Sequence, residues 1–270
     1  MPRLQLFEFN DQPWLPAVLR DGATGYLEAL SRKMGFHQLM VPVVADVLER
    51  SSANQIVDLC SGGGGPMLYI QSQMESRPRL VLTDKYPNQA VFSSIDQDNV
   101  SARMEPVDAT EVPEDLRGLR TIVNALHHFP PTNARKVLAD AARRREPLVM
   151  IELTERTWLN ILTSPLIVLF TLLFMPTVRP MRWQYLLFTY LIPILPLLIF
   201  WDGLVSHLRA YTVAELEAMT HDLDAGYTWE TRHLAMGPGA RATVLVGMPS
   251  ADSERAHGEN PERAHDAPSS

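Results

Sequence analysis

Apolar and polar positions divide the chain into a series of short strands and helices, interrupted once by two long uncharged runs. After the turn-rich stretch Asp11-Gln12-Pro13-Trp14-Leu15-Pro16, Val18, Leu19, Tyr26, Leu27, Leu30 and Met34 recur at helical spacing. Val43, Val44, Val47 and Leu48 mark a second helix over about 40–50. Strands and helices then alternate. Ile56-Val57 ends a first strand, and 67–75 reads as a helix. Arg79 to Thr83 is a second strand, followed by a helix over 88–98. Ala102 to Val107 is a third strand and Leu119 to Leu126 a fourth. A helix over 131–145 follows, capped by Thr132 and closed by Arg143, Arg144 and Arg145 in accord with the helix dipole. Pro147 to Leu153 is a fifth strand. Successive β–α units of this kind predict a parallel sheet. Near the end, Thr212 and Glu215 form a capping box for a helix reaching Leu223. Strands at 227–233 and 242–248 close the pattern, joined through Met236-Gly237-Pro238-Gly239.

The uncharged runs break this rhythm. Trp158 to Val178 holds no charge for 21 residues and Trp183 to Trp201 none for 19. Either is long enough for a membrane span at about 1.5 Å rise per residue. Trp158, Trp183, Tyr185 and Trp201 flank the runs as interfacial aromatics do, and Arg179-Pro180-Met181-Arg182 separates them. Pro165, Pro193 and Pro196 kink whatever helices form. The segment must return to the side it left. Two spans do so with the arginines outside, against the positive-inside bias. A hairpin dipping into one leaflet does so with the arginines at lipid headgroups. An apolar lid packed on the domain, or a dimer surface, is the soluble alternative. Membrane contact through 158–201 is the expectation, the shallow hairpin being favoured over the crossing.

The chemistry gathers at Ile56-Val57-Asp58-Leu59-Cys60-Ser61-Gly62-Gly63-Gly64-Gly65-Pro66. A strand ending in an acid, a glycine loop and a helix opening on proline put free backbone N–H groups beside a ligand. The spacing rejects two common nucleotide sites. Read from Gly62, a G-x-G-x-x-G pattern meets Met67; read from Cys60, it lacks the first glycine. The Gly-Lys-Ser/Thr ending of a P-loop is absent. The stretch resembles motif I of the class I S-adenosylmethionine-dependent methyltransferases, an acid followed by G-x-G-x-G, with Cys60 where the first glycine usually stands. The resemblance implies an α/β, Rossmann-like class I methyltransferase fold with a mostly parallel seven-stranded sheet and an antiparallel last strand. To this the chain adds an N-terminal helical cap (1–50) and an inserted apolar helical hairpin (158–201). The methyltransferase domain is then 51–157 with 202–249, and the polar tail 250–270 is expected to be disordered.

The same resemblance assigns residues. S-adenosyl-L-methionine is the implied cofactor, held by Asp58, Cys60, Ser61, Gly62 and Gly64. Asp84, at the end of the second strand and 20 residues after Gly64, accepts from the ribose hydroxyls. Asp108 lies near the adenine amino group. Asn124-Ala125-Leu126-His127-His128 resembles the segment after the fourth strand of many small-molecule methyltransferases, with Asn124 near the sulfonium and the histidines facing the acceptor. His127 or His128 then acts as a base when the acceptor must lose a proton; shaping the loop is the alternative role. Neighbouring side chains point to different sides, so no metal is expected from this pair alone. Asp202, Ser206 and Arg209 lie in a stretch that resembles a group of bacterial methyltransferases of this size and are further candidates for the acceptor pocket, against a polar re-entry loop.

Composition narrows the partners. The net charge is −7, and the segment 250–270 supplies −3 of it, from five acids and two arginines. No basic stripe is present, so a nucleic acid is not expected. A single cysteine excludes an internal disulfide and fits a reducing compartment. The opening residues do not read as a signal peptide. The expectation is a cytoplasmic catalytic domain held at a membrane, methylating a small lipophilic acceptor. Two rivals are a nicotinamide-dependent oxidoreductase, which lacks a Tyr-x-x-x-Lys signature here, and a non-catalytic membrane adaptor that keeps the fold.

Overall fold

The computed structural model describes residues 1–223, 226–237 and 240–250. The tail expected to be disordered lies outside the described residues beyond Ser250. After an irregular opening, two helices, α1 (Ala17–Lys33) and α2 (Phe36–Ser51), precede the sheet. Then come β1 (Gln55–Asp58), α3 (Gly65–Gln73), β2 (Arg79–Leu82), α4 (Gln89–Phe92), β3 (Val100–Ala102) and β4 (Leu119–Val123). A 3-10 turn (Leu126–His128), α5 (Pro131–Arg144) and β5 (Leu148–Glu152) follow. The apolar region holds α6 (Trp158–Thr163), α7 (Leu166–Phe174), α8 (Trp183–Leu186) with a π-helical extension to Leu191, and α9 (Ile194–Arg209). The chain closes with α10 (Val213–Thr220), β6 (Tyr227–Gly237) and β7 (Ala240–Pro249).

The seven strands lie in the order β3-β2-β1-β4-β5-β7-β6. β1 to β5 pair in parallel, and β7 alone runs against its neighbours β5 and β6. Side chains alternate between two cores, as a sheet covered on both faces requires. Ile56, Leu80, Leu82, Val149 and Ile151 face Met40, Val43, Val44, Met67 and Ile70 of α2 and α3. Val57, Val81, Ile122, Leu148 and Met150 face Val137, Leu138 and Ala141 of α5 and Leu216 of α10.

A third apolar cluster revises the division of the chain. Leu19, Ala23, Tyr26 and Ala29 of α1 pack with Met175, Val178, Tyr185, Leu195, Leu198 and Ile199 of the inserted region. Residues 1–50 are therefore not one cap, because α2 belongs to the sheet and α1 to the insertion. Nor does the chain re-enter the sheet domain at residue 202, since α9 continues unbroken from Ile194 to Arg209.

Several boundaries also differ from the expected ones, each for a local reason. β3 ends at Ala102, because Glu105-Pro106 follows and proline has no N–H to continue a ladder. β4 stops at Val123, because Asn124 takes φ of 53° and turns the chain. α4 is a single turn, where the Ser93 and Ser94 hydroxyls bond the Gln89 and Val91 carbonyls and compete with further helix. Thr132 does not cap α5: Pro130 is the capping residue and makes no side-chain bond, since Pro131 fills the first helical position. The capping box at Thr212 and Glu215 forms as expected.

Neither uncharged run makes a straight helix. The first breaks at Ser164-Pro165 and again at the 3-10 turn Met175–Thr177. The second breaks at Ile192-Pro193, where 183–191 and 194–209 meet at 81°. No single helix among the described residues is long and apolar enough to cross a membrane. The insertion instead covers one side of α1 and leaves an apolar outer face, with Leu162 80%, Leu191 76% and Trp158 74% exposed.

Candidate active site

Motif residues converge at the carboxyl ends of β1, β2 and β4, where parallel sheets form their ligand crevices. Asp58 is buried at the end of β1. Its carboxylate accepts from the Ser61 hydroxyl (2.7 Å) and the Thr121 hydroxyl (2.7 Å). Burial pushes it up to about 7 against these two donors, and the nearby charge of Asp84 adds to the rise. Ser61 also donates to the Asp58 carbonyl, so its hydroxyl faces inward and braces the loop. Cys60, in place of the motif's usual glycine, keeps the backbone that glycine favours, with φ of 60°. Burial pushes its thiol well above the ordinary range.

The open part of the loop is Gly62 to Gly65. Gly62 has φ of 55°, and a Cβ built there would meet nothing within 4 Å. Its N–H donates to Asp84 Oδ2 at 2.8 Å, while Asp84 Oδ1 accepts from the Tyr86 N–H at 2.7 Å. Gly64 is closed instead: at φ of 80°, a Cβ would lie 2.8 Å from Leu82 Cδ1 and 2.9 Å from Leu68 Cδ1. The loop therefore presents unobstructed backbone on one side and is pinned to the core on the other. Asp108 lies across from Asp84, ion-paired with Lys85 at 2.7 Å and accepting from the Thr110 N–H and hydroxyl. The Lys85 and Thr110 bonds hold its carboxyl down at about 2. Asn124 is the hinge between β4 and the histidine turn. Its N–H donates to the Ile151 carbonyl (2.7 Å), and its Oδ1 accepts from the Leu153 N–H (3.2 Å).

His127 and His128 enter a second group of polar residues beyond Asn124. The expectation that the two rings point apart does not hold: they lie side by side, 4.2 Å between centroids at 34°. The tight 3-10 turn packs them against a strap made by the first residues of the chain. His127 is 1% exposed. Its Nδ1 lies 2.7 Å from Glu152 Oε2, and its backbone N–H donates to Glu152 Oε1. Although burial opposes it, His127 holds the Glu152 carboxyl below its ordinary range. A carboxylate only accepts, so Nδ1 carries a proton, and Nε2 lies 4.0 Å from Glu8 Oε1. His128 Nδ1 stands 2.9 Å from Asp11 Oδ1 and 3.7 Å from Glu8 Oε2.

The strap supplies what the sequence reading missed. Arg3 donates to the His127 and Phe129 carbonyls and lies over the Tyr211 ring at 4.3 Å. Glu8 is buried, and burial pushes it up to about 7 against the pull of His128 and Arg209. Asp11, whose burial acts the other way, is held down at about 2 by His128 and Arg209. Arg209 Nη1 reaches Asp11 Oδ2 at 2.7 Å and Glu8 Oε1 at 3.2 Å. Asp202 accepts from the Phe9 and Asn10 N–H groups, and Ser206 donates to Glu8. Asp202, Ser206 and Arg209 thus share one face of α9, turned toward the strap and the histidines. The available signal was Glu8 itself, an acid set between Phe7 and Phe9.

Comparison with known proteins agrees at the level of fold. No protein-family model matches the chain, and no curated protein does. Among solved structures, the plantazolicin methyltransferase BpumL in complex with SAH superposes with a TM-score of 0.51 at 10% identity, covering 86% of this chain and 98% of that one. The plantazolicin methyltransferase BamL gives 0.49 at 11% identity, with the same coverage. The methyltransferase domain of bacterial CtHen1 gives 0.48 at 12% identity, covering 78% of this chain and 98% of its own. The chain therefore has the Rossmann-like fold of the class I S-adenosylmethionine-dependent methyltransferases, with an apolar helical insertion between β5 and α10.

Proposed function

We propose that the chain transfers a methyl group from S-adenosyl-L-methionine to a small lipophilic acceptor at a membrane surface. The observation that carries the reading is the open glycine loop at Gly62, its N–H aimed at Asp84, on the carboxyl edge of β1 and β2. The residues present suit the cofactor. Gly62 and Gly63 leave room for a close backbone approach, Asp84 offers an acceptor to vicinal hydroxyls, and the buried Asp58 braces the loop through Ser61. BpumL, with the same fold, was crystallised with SAH. The sulfonium supplies an activated methyl group when bound. This chain's part is to orient an acceptor in line with it and keep water away. Glu8, Asp11, His127 and His128, beyond Asn124, provide a destination for the proton of an O–H or N–H acceptor.

The membrane part of the reading rests on the outer face of 158–201. Leu159, Leu162, Leu166, Leu169, Leu173, Leu191 and Leu197 are exposed there, a run of large apolar side chains of the kind that marks an interaction surface. Arg179 and Arg182 lie in the loop between its two halves, and Trp158 and Trp183 are exposed at its rim. With a bend of 81° at Pro193, this shape suits entry into one leaflet. The test is transfer of label from methyl-labelled S-adenosylmethionine into lipid extracts, with and without anionic vesicles. The reading expects labelled lipophilic product that rises at least about tenfold with vesicles. Labelling confined to water-soluble acceptors contradicts the membrane part, and no labelling from any extract contradicts methyl transfer.

A further inference from the structure

We propose that Glu8, His127 and His128 bind one divalent transition-metal ion, of the zinc, iron(II) or manganese(II) kind. One ligand atom from each residue lies within 4.8 Å of the others. The closest approaches to Glu8 are 4.0 Å from His127 Nε2 and 3.7 Å from His128 Nδ1. These are too long for hydrogen bonds. Donors at about 2.1 Å from a shared ion stand roughly 3.4 Å apart, so side-chain movements of up to about 1.5 Å close the site. Two imidazoles and one carboxylate form a donor set used by zinc and non-haem iron, with positions left for solvent or a substrate oxygen.

Two further observations point the same way. The first is the Glu152 contact. A ligating histidine characteristically donates its other ring N–H to a carboxylate, which fixes ring and tautomer, and His127 does this with Glu152 at 2.7 Å. The second is charge. Glu8, Asp11, Glu152 and Asp202 bring four carboxylates to this group and Arg209 and Arg3 bring two guanidinium groups, an excess of acids that suits a cation. Arg209 Nη1 sits 3.2 Å from Glu8 Oε1 and must give up that contact, and His128 Nδ1, 2.9 Å from Asp11 Oδ1, must release Asp11 and its proton before it can ligate. Arg209 keeps its bonds to Asp11 and, through Nε, to the Leu6 carbonyl.

The ion would also tie the strap to the histidine turn, making residues 1–12 part of the site. Both histidines then act as ligands. The ion lowers the pKa of the oxygen in its open position, which keeps the site's capacity to take a proton from an O–H group. The proposal does not depend on methyl transfer, and its test reads metal alone.

Tag-free full-length protein, stripped with chelator, is titrated with Zn2+ and Co2+. The expected result is one equivalent bound, with Co2+ d–d bands in the visible. Glu8→Gln and His128→Ala each lower Zn2+ affinity at least about tenfold, whereas His221→Ala changes nothing. Wild-type protein gives a readout free of variants: one equivalent of Zn2+ shields His128, which is one-third exposed, from diethyl pyrocarbonate. Folded wild-type protein that takes up no equivalent of either ion overturns the proposal. So does uptake that leaves His128 reactive or persists undiminished in folded Glu8→Gln.

Discussion

Gly64 shows how closely the loop is determined by single residues. Its φ of 80° lies in the left-handed region, and Leu82 and Leu68 fill the space a side chain needs. Gly64→Ala should therefore destabilise the protein by about 1–3 kcal/mol in denaturant unfolding, while Gly62→Ala, facing open space, costs less but obstructs the ligand side. Asp58 makes a different prediction. Its carboxyl is raised from 3.8 to about 7 in the folded chain, so between those values the folded state holds a proton that the unfolded state has released. Stability then falls as pH rises from about 4 to about 7. Asp58→Asn should flatten that fall in urea titrations across the window; an unchanged slope contradicts the assignment. Asp58 and the glycines were legible in the sequence because they sit in one short motif, and Asp84 because it follows the next strand, 20 residues after Gly64. Glu8 and Asp11 were not, because their partners His127, His128 and Arg209 lie more than a hundred residues away. Local pattern carries no record of such contacts.

At the scale of elements, the alternation of strand and helix predicted β1 to β5 and the closing hairpin, because the central strands are short, nearly continuous apolar runs, as burial on both faces requires. Boundaries failed where one residue overruled the pattern, as at Pro106, Asn124 and Pro131. The insertion failed in another way. Pro165 and Pro193 break the runs where kinks were expected, but the runs gave no sign that Pro176 cuts the first one again, that Pro196 stays within α9, or that α1 would pack with them. α5 carries a further test. Among the described residues, its Asp140 is the one hydrogen-bond partner of the Arg120 guanidinium in β4, at 2.8 Å, and both side chains are 1% exposed. Burial and the Asp140 pairing act in opposite directions on Arg120, and burial prevails, lowering its pKa. Asp140→Ala should cost about 3–5 kcal/mol, because it strands a buried guanidinium. Replacing both residues with apolar ones should cost much less, and equal losses in the two variants contradict this account.

At the scale of the whole molecule, one helix links the apolar insertion to the polar group around the histidines. α9 begins in the insertion, against α1, and ends with Arg209 on the strap over the histidines. If the outer face meets lipid, Leu162→Ser with Leu191→Ser should lower cosedimentation with anionic vesicles several-fold and leave the unfolding midpoint within about 1 kcal/mol, since both side chains are already exposed. Equal cosedimentation of wild type and variant contradicts lipid contact at this face. The central claim is the cofactor, and calorimetric titration tests it most directly. S-adenosylmethionine, S-adenosylhomocysteine and NAD are titrated into wild-type protein and into Asp84→Ala. The account predicts saturable binding of the two sulfur ligands and none of NAD, with affinity reduced at least about tenfold by Asp84→Ala. Folded wild-type protein that binds neither sulfur ligand, or binds them equally well without Asp84, contradicts it.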